Sequence, residues 1–171
     1  MKSQEIRNNQ KFLRNDYEVT SEIEMPIIKR NMLPLPPIDG MLSYNDTKPQ
    51  DNRVDTQSLL VHFFKDDPRF ESLYSEKSEK KDSDRMKKLA QYSAVCTPDF
   101  SVYPEMPLPL QRMQVFKHRW CGAHWQEKSL LLVPTVTCAD ERIFYFCFDG
   151  LQHHSFSTVS PLRFTHHPHH I

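Results

Sequence analysis

The sequence predicts an α/β fold: alternating strands and helices with a mainly parallel sheet, in an incomplete barrel-like or open-sheet architecture. Three observations lead there. Short apolar runs recur at 58–64, 94–97 and 130–136. Charged or helically periodic stretches separate them, each long enough to carry the chain back across a sheet. Polar residues directly follow the second and third runs, where parallel sheets place their sites.

The first 57 residues read as an extended, weakly structured segment. Ile6, Phe12 and Leu13 give residues 1–20 a helical amphipathic pattern. Short strands are expected at Met25–Ile28 and Met41–Tyr44, between prolines and Asp39-Gly40. The α/β domain proper then occupies 58–160. Its first strand, Ser58 to Phe64, is stopped by Lys65-Asp66-Asp67-Pro68. Asp67 before Pro68 has the form of an N-cap followed by an N1 proline, so a helix should start there and run to about Tyr74. The charged stretch 75–88 mixes both signs and reads as a solvated linker leading into a surface helix near Ser83–Gln91.

Ala94-Val95-Cys96-Thr97 should be a buried strand, ended by Pro98. From Pro107 to Glu127, Leu110, Met113, Val115, Phe116, Trp120 and Ala123 recur at roughly helical spacing. Pro107 and Pro109 fit only the first turn. Leu130–Val136 is the next buried strand. Thr137-Cys138-Ala139-Asp140 resembles a capping box with Thr137 as N-cap, and Gly150 stands where a glycine ends a helix. Strand propensity across Ile143–Phe148 conflicts with those caps; the caps favour a short helix. Phe156–Ser160 is a further strand candidate, and 161–171 is a histidine-rich tail expected to be disordered.

Composition excludes several functions. With 171 residues the chain suits one domain and can bury roughly 70% of the surface it exposes when unfolded. Its 22 basic and 22 acidic residues cancel, so there is no global charge signal for nucleic acid or an anionic membrane. Only three glycines occur, too few for a phosphate-cradling loop. The polar N-terminus lacks a signal-peptide core, and no apolar run approaches the ~20 residues of a membrane span. These features predict a soluble, cytoplasmic protein. The four cysteines show no C-x-x-C pair and are expected to stay reduced and pack as small apolar groups.

A set of short motifs occurs in a fixed order. They are Val61-His62-Phe63-Phe64-Lys65-Asp66-Asp67, Thr97-Pro98-Asp99-Phe100-Ser101-Val102-Tyr103-Pro104-Glu105-Met106-Pro107, Trp125-Gln126, Val133-Pro134-Thr135-Val136 and Phe146-Cys147-Phe148-Asp149-Gly150. Over residues 25–160 this set resembles the bacterial and phage family called domain of unknown function 4417. Cys138 stands where members usually carry tryptophan, and Lys128-Ser129 where a glycine is usual. After Ser157-Thr158-Val159 the family continues through further elements, whereas this chain ends in Pro161-Leu162-Arg163-Phe164-Thr165 and histidines. It therefore resembles a truncated or frame-shifted member whose sheet would keep an unpaired edge. The resemblance implies a bacterial cytoplasmic setting in prophage or mobile-element genomes. It supplies no activity and no cofactor.

Asp99 and Ser101 follow one strand, and Asp140 and Glu141 the next. In a parallel sheet those turns share one rim, so Asp99, Asp140 and Ser101 are the candidate catalytic residues, the carboxylates as acid and base or as metal ligands. Turn hydrogen bonds and a helix cap are the competing roles. Trp125 and Gln126 could clamp a sugar or base; with Tyr103 they are the candidate substrate-binding residues. A core tryptophan beside a satisfied glutamine is the plainer alternative. Cys121 and His124 have C-x-x-H spacing with His118 nearby, but no second pair completes a zinc site, so no metal ligand is assigned. His166, His167, His169 and His170 would bind nickel or zinc adventitiously. No G-x-S-x-G elbow occurs.

Two functions follow from different classes. One is a carboxylate- or metal-dependent hydrolase-like enzyme. The other is a non-catalytic phage accessory protein that binds a host protein. The enzyme predicts Asp99, Ser101, Gln126 and Asp140 around one pocket; the binding protein predicts them dispersed, with an exposed apolar patch elsewhere.

Overall fold

The computed structural model describes residues 17–64, 71–75, 78–152 and 157–159. The helical pattern at 1–16, the Asp67-Pro68 helix start and the histidine-rich end lie outside the described residues. Four strands, β1 (Gly40–Ser43), β2 (Leu59–His62), β3 (Ala94–Cys96) and β4 (Leu132–Val133), form one sheet in sequential order. Every neighbouring pair in it is parallel. β5 (Thr135–Val136) pairs in parallel with β6 (Thr158–Val159) in a second, two-stranded sheet. The α/β class with parallel strands expected from the sequence is therefore the observed one.

Two details differ from the sequence reading. The run 130–136 is not one strand but two, divided at Pro134, which has no N–H to give a ladder. Its carbonyl instead accepts from Thr158 N at 2.9 Å, passing the chain from β3 to β6. Where the β3 ladder stops, side chains continue it: Thr135 N donates to Thr97 Oγ1 and Thr135 Oγ1 to the Thr97 carbonyl, both at 2.8 Å. The segment Met25–Ile28 forms only isolated bridges, Pro26 with Val19 and Ile28 with Leu151.

Helix α1 (Glu71–Ser75) and helix α2 (Glu79–Leu89) precede β3. α2 starts earlier than Ser83 because the Ser78 hydroxyl accepts from Lys81 N. Its buried face is Asp82, Met86 and Leu89, at i, i+4 and i+7. The long helix α3 (Leu108–Gln126) begins with proline in its first turn, as its sequence requires. Residues 118–123 of α3 are buried without interruption, so the helix is covered on several sides. The main core packs Trp120, Trp125, Phe63, Phe100 and Leu89 against the sheet. A smaller core unites Met25, Val102, Val115, Ile143, Phe146 and Cys147.

That second core anchors the last helix, α4 (Phe144–Cys147), which continues from a 3-10 turn at Glu141–Ile143. The cap of that turn is Asp140, whose carboxylate accepts from Arg142 N; the cap role weighed for Asp140 is the observed one, and the assignment of Thr137 as N-cap is corrected. Gly150 adopts φ 75°, the left-handed region open to glycine. Cys138 and Cys147 form a disulfide with a Cα–Cα distance of 5.9 Å, which corrects the expectation that all four cysteines stay reduced. Cys96 and Cys121 are free and buried. Among the described residues, no helix is long and apolar enough to cross a membrane.

Candidate functional site

Parallel pairing of β3 with β4 brings the turn after β3 beside the turn after β5. Thr137 Oγ1 donates to Asp99 Oδ1 at 2.6 Å, a direct link between the two turns. Asp99 is 3% exposed, so this carboxylate is enclosed in the rim. The loop that follows it is tied down at several points. The Phe100 carbonyl lies 2.8 Å from His118 Nε2, and the Ser101 carbonyl accepts from Gln114 Nε2 at 3.1 Å. The Met106 carbonyl accepts from Gln111 Nε2, and the Pro104 carbonyl from Arg142 Nη2. Tyr103 is half exposed at the outer turn of this loop.

Asp140 faces Arg142, which donates from its backbone N, Nε and Nη2. The Arg142 side-chain hydrogen bond is the main cause holding the Asp140 carboxyl below the usual carboxylate range. A depressed carboxyl pKa contributes stability above its unfolded value and loses it as pH falls through the folded one. Asp140→Ala is therefore expected to cost about 1 kcal/mol near neutral pH through the lost cap. In thermal melts, the gap between variant and wild type should narrow as the solution is acidified.

Of the three residues named for substrate binding, Tyr103 is in the rim loop, whereas Trp125 and Gln126 lie at the other end of α3. Trp125 is fully buried against Phe63, with ring centroids 5.7 Å apart. Gln126 chelates the backbone of Lys29: its Oε1 accepts from Lys29 N at 2.8 Å and its Nε2 donates to the Lys29 carbonyl at 2.6 Å. Gln126 also lines a cleft of about 570 Å³ with Tyr17, Lys29, Arg30, Ala123 and Leu130. A neighbouring hollow of about 930 Å³ borders Leu132 and Pro134. Neither is lined by Asp99, Ser101, Tyr103 or Asp140. The structure thus brings Asp99 together with Thr137, and leaves Gln126 with the segment 29–33 at the entry side of β4.

Cys121 is fully buried, and burial pushes its thiol pKa up. His124 turns instead to Asp82, with Nε2 2.7 Å from Oδ2, and stacks on Trp120. Among the described residues, no three His, Cys, Asp or Glu side chains group so as to hold a metal.

Three residues that were not among the candidate site residues organise this region. Arg119 is 1% exposed, and its guanidinium donates to the carbonyls of Asp149, Thr135 and Cys147 at 2.8, 3.2 and 2.5 Å. Burial lowers its pKa to about 10. Asn31 uses its side-chain amide as a surrogate strand, accepting from Leu132 N at 3.0 Å and donating to Leu132 O at 2.7 Å. This blocks the face of β4 turned away from β3. Thr137, the third, closes over Asp99 as described.

An exposed aromatic patch lies on α4 and the residue that follows it. Ile143, Phe146 and Cys147 are fully buried, while Phe144, Tyr145 and Phe148 are 56%, 59% and 55% exposed. The rings of Phe144 and Phe148 lie 6.3 Å apart, and Arg112 of α3 donates to the Tyr145 hydroxyl at 3.0 Å. Leu108, Leu110 and Met113 are exposed on the opening turns of α3.

Residues 17–169 match the model of the family described as Domain of unknown function (DUF4417). The chain belongs to this family. The match extends past residue 160, into the histidine-rich end that the motif resemblance left outside. The chain is similar to the "Gene 1 protein" of Mycobacterium phage L5, at 35% identity over 154 residues, covering 88% of this chain and 62% of the relative. It is also similar to the "Gene 1 protein" of Mycobacterium phage D29, at 37% identity over 91 residues, or 53% of this chain and 32% of the relative. The chain thus spans less than two thirds of the length of these phage relatives. No solved structure matches it. These similarities make it a member of a phage-associated family of unknown function.

Proposed function

We propose that this protein is a non-catalytic phage accessory protein that binds a host protein through the aromatic face of α4. One observation carries this reading: Phe144 and Tyr145 of α4, with Phe148 directly after it, stand out while Ile143, Phe146 and Cys147 are fixed in a core. Aromatic anchors held rigid by their scaffold lose little entropy on binding and dominate protein interfaces. Arg112, bonded to the Tyr145 hydroxyl, adds the cation that such surfaces favour. The partner that fits is a protein offering an apolar pocket, since the chain's charges cancel. The separation of Gln126, whose cleft neither Asp99 nor Asp140 lines, supports the same reading.

A photo-crosslinking side chain at position 145 tests it. The expected result is one discrete host protein crosslinked from position 145 and not from an exposed control position such as 54. The purified protein should then bind the wild type, with Phe144→Ala/Phe148→Ala weakening it at least about tenfold. An identified protein that binds that variant as tightly as wild type overturns the proposal.

The contact between Thr137 and Asp99 favours a second reading, an enzyme with Asp99, Asp140 and Ser101 as catalytic groups and Trp125, Gln126 and Tyr103 toward substrate. It predicts that Asp99→Asn, which still offers Thr137 an oxygen, removes function while leaving stability nearly unchanged.

A further inference from the structure

We infer that the Cys138–Cys147 disulfide is a reversible thiol switch that governs the limb 138–142, which carries Asp140 and Arg142 to the rim. The two cysteines are unequally placed: Cys147 is fully buried, whereas Cys138 is only partly covered. An incoming thiolate therefore reaches Cys138. No internal thiol competes, because Cys96 and Cys121 are buried; burial pushes Cys96 up to about 12, and Cys121 is raised as well.

The bridge divides its loop into two limbs with different anchors. On the Cys147 side, Ile143 and Phe146 are fully buried and Arg119 holds the Cys147 carbonyl. On the Cys138 side, residues 138–142 carry no fully buried side chain. That limb is held by the disulfide, by Thr137 on Asp99 and by Arg142 on the Pro104 carbonyl. Opening the bridge leaves α4 seated and loosens the limb that carries Asp140 and Arg142. Arg142 and Thr137 are the limb's ties to the loop 99–106, which keeps its own hydrogen bonds to His118, Gln114 and Gln111 of α3. The switch is independent of what the aromatic face binds.

The co-reactant is a dithiol reductant. One thiolate attacks the Cys138 sulfur; the S–S bond breaks, and its electron pair leaves with the Cys147 sulfur, which takes a proton. The reductant's second thiolate attacks its own sulfur in the mixed disulfide and releases Cys138, which is protonated in turn. The protein gains two electrons and two protons, and the dithiol becomes a disulfide.

Thiol alkylation in denaturant, combined with native-state hydrogen exchange, tests the switch. Oxidised protein should alkylate at Cys96 and Cys121 alone, and dithiol-treated protein at Cys138 and Cys147 as well. On reduction, amide exchange should rise at least about tenfold across 138–142, with little change in α3 or in the loop 99–106 that α3 holds, and reverse on reoxidation. Cys138→Ser should show the reduced pattern with or without reductant. Four free thiols after oxidation, or identical exchange in the two states, overturns the inference.

Discussion

Replacing Arg119 by methionine is expected to lower unfolding stability by about 3–5 kcal/mol, the scale for removing one side of a buried charged network. Methionine fills much of the same volume but offers no N–H. The carbonyls of Thr135, Cys147 and Asp149 would lose their donor together, the first two in buried surroundings. Those carbonyls belong to β5, to α4 and to the turn before Gly150, so the loss uncouples three parts of the fold from α3. Urea unfolding followed by tryptophan fluorescence reads the effect, since Trp120 and Trp125 are both buried. Stability within 1 kcal/mol of wild type would mean that Arg119 is not the clamp described.

Gly150→Ala is expected to cost about 2–4 kcal/mol, combining left-handed backbone strain with overpacking. A methyl group there would collide with the Pro26 carbonyl oxygen, a backbone atom that cannot swing aside. The same glycine's carbonyl accepts from Ile28 N at 2.8 Å, beside the bridge between Ile28 and Leu151. The collision therefore separates the 25–28 segment from the end of α4. The urea midpoint should fall at unchanged slope. An alanine variant as stable as wild type would contradict the observed close approach.

The parallel sheet was legible in the sequence because buried strands write themselves as continuous apolar runs, as at Leu60, Val61, Ala94 and Val95. Pro134 was visible inside such a run, yet its division of one run between two partners depends on β6, a distant segment. β1 was legible only as a short strand at Met41–Tyr44; its place in the sheet comes from pairing with β2. The short helix at 144–147 was legible from local punctuation, although the wrong residue was read as its cap. Asp140 and Thr137 both have the chemistry of a cap, and only the distant Asp99 decides that Thr137 is engaged elsewhere.

Arg119 could have been found. Val115, Arg119, Gly122 and Ala123 fall at i, i+4, i+7 and i+8, so a helical register puts the arginine on the buried face. Its three carbonyl partners are long-range and leave no local signal. The disulfide was equally hidden, because a nine-residue separation suits no familiar motif and the sulfurs meet only once the turn and α4 have formed. The aromatic run 144–148 was read for propensity alone; which of its rings are buried depends on the second core beneath α4.

The affinity of the host protein crosslinked from position 145, measured in parallel for wild type, Phe144→Ala/Phe148→Ala and Asp99→Asn, tests the account most directly. The expected result is at least about a tenfold loss for the aromatic pair and an unchanged affinity for Asp99→Asn. Full affinity in the aromatic variant, with loss confined to Asp99→Asn, would contradict it and move function to the rim between β3 and β5.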